Sequence, residues 1–120
     1  MYGQPLTLTG TAPAERDVFS CATSAILAAG YTVETMDRPT GFIRANRPDV
    51  DATAVLFNVQ KWDLVTVIVI DEPTGRQSLQ VVASRREVGH PNVFQTSDVI
   101  GKPTDEGLAL ATSIVERCTV

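Results

Sequence analysis

Leu64-Val65-Thr66-Val67-Ile68-Val69-Ile70 is the stretch whose reading decides the fold. Its β-branched side chains pack well on a pleated surface and are poor helix formers. Asp71-Glu72-Pro73-Thr74-Gly75 follows. Pro73 presets φ for a turn, and Gly75 accepts positive φ. Residues 77–88 then return as a second strand, so the unit reads as a long hairpin. Pairing Ile70 with Gln77 sets Ile68 against Leu79, Thr66 against Val81 and Leu64 against Ala83, which is the expected core side. The opposite side pairs Val69 with Ser78, Val67 with Gln80 and Val65 with Val82. A one-residue slip mixes the two faces, so burial is expected to select this register. Val65, Val67 and Val69 then form an outer face. It is either half covered by a loop, or a partner surface or pocket wall.

Working upstream, Asp37-Arg38-Pro39-Thr40-Gly41 repeats the Asp-x-Pro-Thr-Gly turn chemistry of residues 71–75. Its flanks, 31–36 and 42–47, read as another hairpin. The flanks of the two turns do not match, so convergent turn chemistry explains the repeat. Within 52–60, Val55, Phe57 and Val59 alternate like a strand, although Asp49 offers a cap for a short helix there instead. Leu6-Thr7-Leu8-Thr9 is a short first strand. A helix is expected over 12–29, capped by Thr11, with Pro13, Glu15 and Asp17 near its start. Val18, Cys21, Ala22, Ala25, Ile26 and Ala29 give it one apolar stripe, and Gly30 closes it in the left-handed region.

Downstream, 88–103 reads as the one long irregular stretch, a loop with Val93, Phe94, Val99 and Ile100 tucked onto the core or held for a functional contact. A last helix starts at Thr104, with Asp105 and Glu106 in its first turn, and runs to about Cys118. Leu108, Ala111, Val115 and Cys118 line it, with Ile114 beside them. The expected fold is therefore α+β: one domain over 1–120, an antiparallel sheet of five to six strands, and two helices on one face, in strand-helix-strands-helix order.

Bulk composition suits such a domain. The chain has 120 residues, of which 43% are hydrophobic and 20% charged, too apolar for intrinsic disorder. The net charge of −4 leaves no basic stripe for a phosphate backbone, so nucleic acid is not an expected partner. Met1-Tyr2-Gly3-Gln4-Pro5 has neither the basic nor the apolar region of a signal peptide. Either the protein begins at Met1 and stays in the cytosol, or a leader has been removed ahead of it.

Residues suited to chemistry are sparse. The one histidine, His90, precedes Pro91 and reads as a surface residue. Asp37, Asp71, Glu72, Asp105 and Glu106 sit at turns and helix starts, where local structure explains them. No metal, nucleotide or nucleophile pattern is present, so no cofactor and no enzymatic activity are expected. Trp62, in the link Lys61-Trp62-Asp63, either caps the end of the core or anchors a partner. Cys21 and Cys118 lie on the apolar sides of the two expected helices. They are either a disulfide, which indicates an oxidising compartment, or two buried thiols acting as small hydrophobes.

The segment Ala25-Ile26-Leu27-Ala28-Ala29-Gly30-Tyr31-Thr32-Val33-Glu34, then residues 37–41, then Phe42-Ile43-Arg44-Ala45, resembles small domains of bacterial cell-envelope lipoproteins of the BamC-like, helix-grip kind. The resemblance covers 14–47; the later hairpin and last helix agree in order. It implies a non-enzymatic envelope module, periplasmic or at the outer membrane, that docks on other proteins or on a poorly defined ligand. The residues themselves offer Trp62, Val65, Val67, Val69 and Phe94 as candidate contacts. Membrane association would come only from a lipid anchor. Neither Cys21 nor Cys118 stands at a mature N-terminus, so the resemblance implies an anchor cysteine and leader removed ahead of Met1. Two other readings compete. One is a cytosolic acidic chaperone of secreted proteins, marked by a helix at 49–60. The other is a helix-grip small-molecule binder, marked by polar side chains converging in a cavity.

Overall fold

The computed structural model describes residues 3–49, 59–92 and 95–119. The elements are β1 (Leu6–Pro13), α1 (Val18–Ala28), β2 (Thr32–Asp37), β3 (Phe42–Pro48), β4 (Val59–Asp71), β5 (Arg76–Asn92), β6 (Gln95–Gly101) and α2 (Asp105–Cys118). The fold is α+β, and the described residues form a six-stranded antiparallel sheet and two helices. Strands follow the order β1-β5-β4-β3-β2, and β6 also pairs with β5. Residues 76–83 of β5 pair with β1, and its far half pairs with β6, so the two short strands share one side of the long one. At about 3.3 Å per residue, β5 alone spans roughly 55 Å, which matches the 53 Å long axis of the molecule.

Both helices lie against the same face of the sheet. Val18, Ala22 and Ile26 of α1 and Ala111, Ile114 and Cys118 of α2 join Ile43, Ala45, Val65, Val67, Leu79, Val81 and Ala83 in one buried cluster. Ala22, Ala25 and Ala111 keep the helices close to each other and to the strands.

The hairpin register differs from the expected one by one residue. Asp71 opposes Gln77, Val69 opposes Leu79, Val67 opposes Val81 and Val65 opposes Ala83. The cause is a turn one residue longer than the expected register allows. The Gly75 N–H donates to the Glu72 carbonyl, and the Glu72 N–H donates to the Arg76 carbonyl. Gly75 takes φ 83°, so Pro73, Thr74 and Gly75 lie between the last paired residues. The valines of β4 therefore face the helices. Val65 and Val67 are fully buried, and Val69 packs against the core. They are core residues, which corrects their assignment to an outer partner face.

Three boundaries also differ. β1 continues through Thr11 to Pro13, and α1 begins only at Val18. Thr11 is thus not its cap. Asp17 is: its carboxylate accepts from the Ser20 N–H at 3.1 Å. Ala12 faces the core as the strand's alternation requires. The intervening turn is fixed by Gln77, whose amide donates to the carbonyls of Pro13 (2.9 Å), Ala14 (3.2 Å) and Arg16 (2.7 Å). Trp62 lies inside β4 rather than in a link. The expected loop at 88–103 is largely a hairpin of β5 and β6, and His90 lies within β5. Phe94, and the strand or helix expected between residues 50 and 58, lie outside the described residues.

Other local readings agree with the fold. Gly30 follows α1 at φ 82°. Thr104 caps α2, with Asp105 and Glu106 in the first turn and Arg117 in the last, matching the helix dipole.

Candidate functional site

Cys21 and Cys118 are joined in a disulfide. It ties α1 to α2 over a sequence separation of 97 residues, with Cα atoms 5.7 Å apart. Cys118 is fully buried, so the bridge belongs to the core as well as to the helix interface. A disulfide is compatible with an oxidising compartment.

At the other end of the helix pair lies a small polar network. Asp63 occupies an inward position of β4, in phase with Val65 and Val67, and is 1% exposed. A carboxylate there requires partners. Arg47 from β3 supplies one through Nη2, 3.1 Å from Oδ2. The Thr104 hydroxyl donates to Oδ1 at 2.9 Å and accepts from the Gly107 N–H at 3.1 Å. The Thr104 cap therefore links Asp63 to the N-terminal end of α2, where negative charge is favoured.

Tyr31, the residue after Gly30, completes the group. Its ring lies under the Arg47 guanidinium at 5.1 Å. Burial pushes its phenol up to about 12, and the nearby Asp63 carboxylate adds to the shift. The hydroxyl is buried, yet no partner lies in hydrogen-bonding geometry. Tyr31 and Arg47 also line a cleft of about 370 Å³ between the two helices, together with Glu106 and Arg117. None of these residues was singled out as a site in the sequence. The available signal was Asp63 itself, a charge in phase with inward valines, but it becomes visible only once the β4 register is known.

The opposite sheet face is not covered by the helices. It carries Phe42, Thr66, Ile68, Ile70 and Val82, with Ile70 50% exposed. Trp62 lies on this side, half buried, with the Arg86 guanidinium 5.8 Å from its ring centre. Arg86 also pairs with Asp98 at 2.7 Å, and Arg44 with Glu34 at 3.2 Å. The Asp98 pair raises the Arg86 pKa and lowers that of Asp98.

Among the described residues, no three His, Cys, Asp or Glu side chains come together as a metal-binding group. No described helix is long and apolar enough to cross a membrane. No protein-family model matches the chain, and no curated protein sequence shows significant similarity to it.

Proposed function

We propose that the chain is a non-enzymatic cell-envelope module that works through protein contacts made on the sheet face opposite α1 and α2. The observation that carries the proposal is the Cys21–Cys118 bridge. Structural disulfides persist in secreted and periplasmic proteins and are rare in reducing cytosol, which weighs against the cytosolic chaperone. The helices and the bridge occupy one side of the sheet and leave Phe42, Ile68, Ile70 and Trp62 on the other. Aromatic and aliphatic residues on an otherwise polar face suit a protein partner. Val65, Val67 and Val69 have no part in this surface.

A photo-reactive residue placed at position 68 on the open face, and at Ser113 on the helix side, tests the proposal in cells that make the native gene. The expected result is a discrete adduct from position 68, absent from position 113 and suppressed by Ile70→Arg. Equal labelling from both positions, or none from position 68, would refute contact through this face.

A further inference from the structure

The cleft between the helices has features that a structural role leaves unexplained. Its volume of about 370 Å³ lies at the small end of the range for ligand pockets. Ala28, Ala109 and Leu110 give it apolar walls, while Arg47, Arg117, Tyr31, Ser113 and Glu106 supply its polar groups. A guanidinium carries five N–H donors. Arg47 commits Nη2 to Asp63, and its remaining donors make no other hydrogen bond or ion pair among the described residues. Arg117 makes no hydrogen bond or ion pair among the described residues. Tyr31 is 4% exposed, with a hydroxyl that lacks a partner.

The described residues around the cleft thus carry more cationic and donor groups than anionic ones. Glu106 is the one acidic residue among those lining it, against two arginines. The grooves beside the start of α1 differ in this respect. There Arg38 is held by Asp17 at 3.1 Å and lies over Phe19 at 4.8 Å, and Gln77 is spent on backbone carbonyls. Those groups close the structure on itself.

We infer that the cleft between α1 and α2 binds a small monocarboxylate with an apolar body. The carboxylate meets Arg47 and Arg117, and the body lies on the alanines and Leu110. Arg47 suits this role because Asp63 and the Tyr31 ring hold its guanidinium in place before a ligand arrives. Tyr31 stays protonated through the physiological range, since its pKa is about 12, and so remains a donor. The inference stands whether or not the open sheet face docks a protein.

The test is a titration of the full chain with octanoate and, in parallel, with uncharged octanamide, read by backbone amide chemical shifts. Octanoate is expected to give saturable shifts centred on Ala28, Ala29, Ser113 and Arg117. Octanamide is expected to bind at least about tenfold more weakly, the loss typical of a charge-assisted hydrogen bond. Arg117→Gln is expected to weaken octanoate binding about tenfold, and Arg117→Glu to abolish it, with only a small fall in thermal midpoint, larger for Glu, because Arg117 is exposed in the last turn of α2. Arg47→Gln is a poor sole test, since it strips buried Asp63 of its cation. Three results would each overturn the inference: no saturable shift at millimolar octanoate, equal affinity for the amide, or binding that ignores Arg117→Glu.

Discussion

Replacing both cysteines with alanine, Cys21→Ala with Cys118→Ala, removes a covalent tie between residues 97 apart. Chain-entropy reasoning assigns a loop of this size about 4.7 kcal/mol of stabilisation, acting through the unfolded chain. Denatured chains retain structure, and measured values commonly fall lower, so the expected loss is about 3–4 kcal/mol. The thiol's own packing adds little, because alanine keeps a small apolar group beside Ala22 and Ile114. For a domain of this size, each kcal/mol moves the melting midpoint by roughly 4 °C, so the midpoint falls by roughly 12–16 °C. Thermal and urea unfolding of the double variant and of the native chain, with and without reductant, measure the effect. Reduction of the native chain should reproduce the double variant, whereas adding reductant to the variant should change nothing. A loss below about 1 kcal/mol would refute the reasoning, because the bridge would then not be restricting the unfolded chain.

Asp63→Ala leaves the Arg47 guanidinium without its anion and the Thr104 hydroxyl without its acceptor, so stability should fall by about 3 kcal/mol in urea titrations. Stability within about 0.5 kcal/mol of the native chain would show that the network contributes nothing net. Gly41→Ala places a Cβ 2.1 Å from the Val69 carbonyl oxygen at φ 73°, where Val69 N–H also donates to the Gly41 carbonyl at 2.8 Å. It should cost about 3 kcal/mol, against about 1 kcal/mol for Gly75→Ala, where φ is similar but the space is open. Equal costs would mean that the close approach to β4 is not what requires glycine. Hydrogen bonds from Ser20 and the Arg38 guanidinium hold the Asp17 carboxyl down to about 2. A depressed pKa gives stability that is present above about pH 4, the unfolded carboxyl value, and is lost as pH falls toward 2. Asp17→Asn should flatten stability across that window, and an unchanged pH profile would count against the cap.

The elements were legible where one signal acted alone. Gly30, Gly41 and Gly75 all take positive φ, and Thr104 caps α2, because each answers a local steric or hydrogen-bonding need. The β4 register was not legible. Val65, Val67 and Val69 alternate with Leu64, Thr66, Ile68 and Ile70, so both faces of β4 are apolar and the pattern does not choose between them. The choice was made by the turn, and x-Pro-Thr-Gly at 38–41 and 72–75 shows why turn composition is a poor guide. Both carry the same backbone bond, from Gly41 N–H to the Arg38 carbonyl and from Gly75 N–H to the Glu72 carbonyl. Yet Asp37 pairs with Phe42 while Asp71 pairs with Gln77, one residue further on. That single residue moved the candidate surface from the valines to Ile68 and Ile70. It also turned Asp63 inward, which is why the Tyr31, Arg47 and Thr104 group could not be read beforehand. The late start of α1 has a related cause. Pro13 and Glu15 suit a helix start, but Gln77 claims the Pro13, Ala14 and Arg16 carbonyls from across the sheet.

The redox state of Cys21 and Cys118 in the cell tests the central claim most directly. Protein made from the native gene in its own source would be denatured and alkylated straight from the cell, then weighed intact before and after reduction. The envelope account predicts that both cysteines take up label only after reduction, in protein that fractionates with the cell envelope. Label on both without reduction, in protein recovered from the cytosol, would contradict it.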